Sequence, residues 1–142
     1  MKPIRLGMIG VGVHASTILL PSLTYVPTIE RVALCDIRRD VVEEKAKRFG
    51  FNRAYTNYHE MIETEDLDGV IACINAAKHP EVSVDLLRHG IDVLVEKPAA
   101  VTPEQAKEMY AVSKQTGHFI MVEHNKRHST VMKRALDIVC QP

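Results

Sequence analysis

Short apolar runs alternate with amphipathic stretches from one end of this chain to the other, and that alternation leaves few folds open. Ile4–Ile9 is a compact apolar run broken only by Arg5 and Gly7. Arg31–Cys35 stops at Asp36. Gly69–Ile74 reads GVIACI, Ile91–Val95 reads IDVLV and Phe119–Val122 reads FIMV; Arg53–Thr56 is a shorter, more polar candidate. Runs that are apolar at nearly every position suit strands covered on both faces, as in a parallel sheet flanked by helices.

The stretches between carry helix signals. Asp40 opens D-V-V-E, an N-cap with Glu43 three residues on, and Val42, Ala46 and Phe49 then share a face. Pro80 and Glu81 open a stretch bearing Val82 and Leu86. Thr102-Pro103-Glu104-Gln105 has capping-box spacing with proline first in the helix, and Ala106, Met109, Tyr110 and Ser113 follow on one side. Val131, Ala135, Leu136 and Val139 stripe the last stretch, and Pro21 is expected to end or kink the first helix. Gly50, Gly90 and Gly117 fall just past three of the helices, where the chain commonly turns left-handed. Strand–helix alternation of this kind predicts an α/β fold, a doubly wound parallel sheet in a single domain. The length of 142 residues and 46% hydrophobic content are enough for one core.

Charge excludes some functions. Lys plus Arg number 18 and so do Asp plus Glu, so no basic footprint for nucleic acid is present. No apolar run has the length of a membrane span, and MKPIRLGMIG does not read as a signal peptide. Cys35, Cys73 and Cys140 are widely spaced and odd in number, with no CxxC pair, which predicts a reduced, cytoplasmic protein without a disulfide framework. His124 and His128 have a metal-binding spacing on a helix but no third ligand, so no metal is expected.

The first strand-to-helix turn reads G-V-G-V-H-A. Gly10-x-Gly12-x-x-Ala15 fits the dinucleotide fingerprint: Gly10 permits the tight turn, Gly12 lets the backbone approach a pyrophosphate, and Ala15 lets helix pack on strand. The free amides and positive end of the helix then hold the anion, which brings Val13 and His14 into the cofactor set. The strand signal before and the helix signal after are the context this motif needs; the rival is a tight turn with no ligand. Asp36 ends the second strand about twenty residues on, where a carboxylate accepts from a ribose 2′-hydroxyl and repels a 2′-phosphate. That favours NAD. Arg38 and Arg39 follow, whose guanidinium groups suit a phosphate and leave NADP open. Ile37 and Arg38 join the expected contacts. Glu96-Lys97-Pro98 lies at the carboxyl end of the fifth strand, where ligands bind in open α/β sheets. A positive nicotinamide ring and partial burial would both lower a lysine pKa there, so Lys97 could exchange a proton with a substrate hydroxyl; the rival is a surface ion pair of Glu96 and Lys97.

The GVG turn (Gly10–Gly12), the VALCD strand end (Val32–Asp36), the H-x-E segment (His79 to Glu81), the HGIDVLVEKP stretch (His89–Pro98) and MVEHNKR (Met121–Arg127) together resemble the N-terminal NAD(P)-binding Rossmann domain of Gfo/Idh/MocA oxidoreductases. The resemblance covers nearly the whole chain. It implies that Lys97 is the active-site lysine, that Pro98 follows a cis peptide, and that His79 lies on the nicotinamide side. It also implies that Asn75 and Ala76 belong to a cofactor loop, and that Asn125 and Arg127 lie nearer the substrate. That loop usually reads T-P in the family and here reads Ile74-Asn75. His79 and Glu96 are expected to assist Lys97 and, with it, to contact the cofactor. The activity implied is hydride transfer between NAD or NADP and a sugar- or polyol-type small molecule, with no nucleic-acid or membrane partner; the resemblance leaves a homo-oligomer open. Residues 1–124 are expected to form the nucleotide-binding domain, and 125–142 a linker and helix leading to a second, substrate-binding α/β domain that is absent. A non-catalytic NAD(P)-binding sensor module is the alternative.

Overall fold

The computed structural model describes residues 2–140; Met1, Gln141 and Pro142, at the outer ends of the two expected segments, lie outside the described residues. Six strands form one sheet: β1 (Ile4–Ile9), β2 (Ile29–Cys35), β3 (Arg53–Tyr55), β4 (Gly69–Ala72), β5 (Asp92–Glu96) and β6 (Ile120–Glu123). Every pairing is parallel, and the order across the sheet is β3-β2-β1-β4-β5-β6. The chain winds outward from β1 in one direction, then returns to β4 and winds outward in the other. The strand order therefore reverses between β1 and β4.

Both faces of the sheet are covered, as the apolar runs require. The first helical segment comprises a π-helical stretch, Ala15–Leu19, and α1 (Leu20–Leu23). It packs with α2 (Arg39–Phe49) on one face, where Leu20, Val42, Ala46 and Phe49 meet Leu6, Met8, Leu34 and Ile71. On the other face lie α3 (Tyr58–Thr64), α4 (His79–Arg88) and α5 (Pro103–Thr116). Their Met61, Leu86, Leu87 and Met109 meet Val32, Val70 and Val93. Alternate residues of one strand thus serve opposite cores. A 3₁₀ turn (Asn125–His128) and α6 (Thr130–Val139) follow β6 and bury no residue.

Four local details differ from the sequence expectation. Pro21 neither ends nor sharply interrupts the first helix. It has no N–H for the carbonyl four residues back, and just before it the Leu20 amide donates to the Ala15 carbonyl, five residues back, so the turn widens into the π stretch. Asp40 is not the α2 cap: the Asp36 carboxylate accepts the Arg38 amide at 3.1 Å, and the helix starts at once, with Arg38 as its extended N-cap. The sequence reading overlooked α3, although Asn57 caps it by accepting the His59 amide at 2.9 Å. Tyr110 points to solvent, and Val112 takes the core position beside Met109.

Candidate dinucleotide site

The reversal of strand order brings two loops face to face at the carboxyl ends of β1 and β4. One runs through Gly10–Gly12 into helix; the other runs through Cys73–Asn75 into a 3₁₀ turn, Ala76–Lys78. The Gly10 amide donates to the Cys35 carbonyl at 2.7 Å, and the Cys73 amide donates to the Ile9 carbonyl at 2.8 Å. Gly10 has φ +88°, and a Cβ there would stand 2.2 Å from the Cys73 carbonyl oxygen. The fold itself demands glycine at this position.

Gly12 is different. Its φ lies outside the left-handed range, and nothing lies within 4 Å of where its Cβ would be. The fold would accept a side chain here; a ligand brought against the backbone would not. The Ser16 amide is bonded back to the Gly12 carbonyl at 2.9 Å, so the amides of Val13, His14 and Ala15 have no carbonyl one helical turn back. Val13 is exposed, while Ala15 is wholly buried against the sheet. The Ala15 amide meets the Cys73 thiol, whose pKa burial and then the charge of Glu96 push up to about 11. Gly12→Ala should therefore fold as before, with a melting temperature unchanged or slightly raised. Its NAD affinity should fall by roughly tenfold or more as the methyl enters the phosphate seat; calorimetry beside a thermal melt reads both.

Asp36 sits at the end of β2 with only 8% of its side chain exposed. It accepts the Val11 amide at 3.0 Å, which ties it to the turn, and pairs with the Arg38 guanidinium at 2.9 and 3.1 Å. Burial alone would raise its pKa, but the Arg38 side chain and the two amides together hold it below the ordinary carboxylate value. An ionised carboxylate is thus fixed at the rim of the cleft. Beside it Ile37 is 88% exposed, an apolar side chain with nothing in the fold to cover it.

A cleft of about 850 Å³ runs along these loops. Of the expected residues, Gly10, Gly12, Asp36, Ile37, Arg38 and Asn75 line it. Tyr58 and Lys78 also line it and were not anticipated; Lys78, on the 3₁₀ turn, pairs with Glu81 at 2.8 Å. Asn75 caps that turn by accepting the Ala77 amide at 2.9 Å, and Ala76 behind it is half-buried. The size of the cleft, the free amides, the bare backbone at Gly12 and the carboxylate rim all fit a dinucleotide.

The EKP segment lies at the carboxyl end of β5. The Lys97–Pro98 peptide is cis and the Lys97 side chain is exposed. Glu96 is buried, and its Oε2 accepts the Lys97 amide at 3.0 Å, so the two are not a simple surface ion pair. His79 does not face the cleft. It is 1% exposed at the start of α4, and its Nδ1 stands 2.8 Å from the Pro98 carbonyl oxygen. A ring so enclosed cannot touch a ligand in this conformation; it braces the turn that carries Lys97. Asn125 and Arg127 are exposed on the 3₁₀ turn past β6. The described residues include no helix long and apolar enough to cross a membrane.

The family model for Gfo/Idh/MocA, an oxidoreductase family with an NAD-binding Rossmann fold, matches residues 4–124. This chain belongs to that family. Its fold is the NAD(P)-binding Rossmann domain, as the motifs implied. Similar proteins include dTDP-3,4-didehydro-2,6-dideoxy-alpha-D-glucose 3-reductase of Actinomadura kijaniata, 32% identical over 92% of this chain and 40% of the relative. Myo-inositol 2-dehydrogenase of Thermotoga maritima is 26% identical over 95% of this chain and 40% of its own length. A crystal structure of a 3-ketoreductase from Actinomadura kijaniata with NADP and TDP-benzene superposes with a TM-score of 0.91 at 30% identity, covering 98% of this chain and 42% of that one. The chain thus spans about two fifths of the length of the relatives it matches.

Proposed function

We propose that this Gfo/Idh/MocA domain serves reversible hydride transfer between a nicotinamide dinucleotide and a hydroxyl or carbonyl carbon of a sugar- or polyol-type substrate in the cytoplasm. The observation that carries the cofactor half is Gly12: bare backbone beside free amides, at the strand-order reversal, with an ionised carboxylate at the rim. The carbohydrate chemistry of the relatives' names supports the substrate class. Free cysteines support a reducing compartment.

Each residue has a role in that reading. The turn from Gly10 to Ala15 seats the pyrophosphate, with Val13 and His14 contributing amides. Asp36 accepts from the adenosine ribose, flanked by Ile37 and Arg38, while Asn75 and Ala76 border the cofactor from the β4 side. Bound nicotinamide supplies the hydride donor or acceptor. Lys97 takes the proton from the substrate hydroxyl, or returns it, from the carboxyl end of β5. Glu96 fixes the Lys97 amide, and His79 holds the Pro98 carbonyl from behind, which makes His79 a positioning residue.

NAD is the favoured form, because a fixed carboxylate at the ribose repels a 2′-phosphate. Calorimetric titration of the chain with NAD and with NADP tests this. NAD should bind more tightly. Asp36→Asn should cut the preference for NAD over NADP by roughly tenfold, since it weakens a charge-assisted bond worth about 1.5–3 kcal/mol and frees Arg38 for a phosphate. No heat and no thermal shift with either dinucleotide would overturn the reading.

A further inference from the structure

Beside the cleft, three segments far apart in sequence converge on one point. His14 comes from the helix start, Glu96 from the end of β5 and Glu123 from the end of β6. One ligand-type atom from each lies within 4.8 Å of the other two. Glu96 spends one oxygen on the Lys97 amide; the other, Oε1, is buried and has no hydrogen-bond partner among the described residues. His14 Nε2 likewise has none, although it stands only 2.7 Å from that oxygen. At that distance the imidazole and the carboxylate are in ion-pair contact. Glu123 lies beside them: its carboxyl is hydrogen-bonded to that of Glu96, and burial, then that bond and the Glu96 charge, raise its pKa. Two acidic groups brought together in a half-dry corner favour positive charge beside them, which His14 and Lys97 supply in part.

We propose that His14 Nε2, Glu96 Oε1 and the Glu123 carboxylate form a three-point site for a divalent cation of the zinc class. One imidazole and two carboxylates suit such an ion in donor type, and the two negative charges match its charge. A fourth position stays open to water or another oxygen ligand. The site does not depend on the hydride-transfer reading, and the spacing of His124 and His128 plays no part in it.

The test uses Zn²⁺ alone, added to the chain after stripping with a chelator and its removal, with Co²⁺ as the spectroscopic probe. One ion should bind per chain. His14→Ala and Glu123→Gln should each weaken binding at least about tenfold. His14 is 42% exposed, so His14→Ala opens no core cavity, and a thermal melt of the metal-free variant beside the unaltered chain keeps the test clear of misfolding. His124→Ala and His128→Ala should bind as the unaltered chain does. No uptake of Zn²⁺ at stoichiometric concentration, or His14→Ala binding as tightly as the unaltered chain, would overturn the proposal.

Discussion

Gly10→Ala should cost at least about 3 kcal/mol of stability and lower the melting temperature by about 10 °C. Two penalties add. A side chain at φ +88° is strained whatever its surroundings, and here the new Cβ would press on backbone, 2.2 Å from the Cys73 carbonyl oxygen and 2.8 Å from its carbon. Backbone cannot swing aside as a side-chain tip can. Relief must come from the β1 and β4 loops moving apart, and the bonds from the Gly10 amide to Cys35 and from the Cys73 amide to Ile9 oppose that movement. Dinucleotide binding should fall with the fold, because the displaced loops are the walls of the cleft. A melt of Gly10→Ala within a degree or two of the parent chain would refute this account of the turn. Gly12→Ala, two residues on, should do the reverse by sparing the fold and losing the ligand.

That contrast shows what the sequence disclosed and what it withheld. The motif asked for glycine at both positions, but only the structure separates a glycine the fold requires from one it does not. The apolar runs located all six strands, with edges off by one or two residues: β2 starts at Ile29 and β4 stops at Ala72. The place of Asp36 was legible because a strand end at a set distance past the turn puts it at the rim of the cleft. For His79 the motif fixes the position along the chain, not the direction of the ring. Burial between α4 and the Pro98 turn is a tertiary fact. Glu123 was missed for a related reason. Like Asp36 and Glu96 it is an acidic residue at the carboxyl end of a strand run, and that shared signal could have drawn attention to it. No local spacing, however, links it to His14, from which it is separated by most of the chain. Residues joined only by the sheet order, which pairs Glu96 with Glu123 across β5 and β6, are invisible until that order is known.

In the active protein, Lys97→Ala should lower kcat by about 10²–10⁴-fold while leaving the Kd for NAD within about twofold. The expectation follows from which atoms of Lys97 the fold uses. Its amide is bonded to Glu96, and an alanine keeps that bond; its side chain is exposed and supports no packing. Loss of rate without loss of fold or cofactor therefore isolates the amine. Lys97→Arg sharpens the test, because a guanidinium keeps the positive charge but does not release a proton near neutral pH. If Lys97 moves a proton, the arginine variant should be nearly as slow as the alanine one; if it supplies charge alone, arginine should restore most of the rate. His79→Ala should behave differently from both. It leaves a cavity and removes the partner of the Pro98 carbonyl, so stability should fall by about 1–3 kcal/mol. On the proposed positioning role of the ring, the rate loss should be smaller than for Lys97→Ala. A kcat unaffected by Lys97→Ala, with a sugar or polyol as substrate, would remove the lysine from the chemistry and leave Glu96-Lys97-Pro98 as a structural turn.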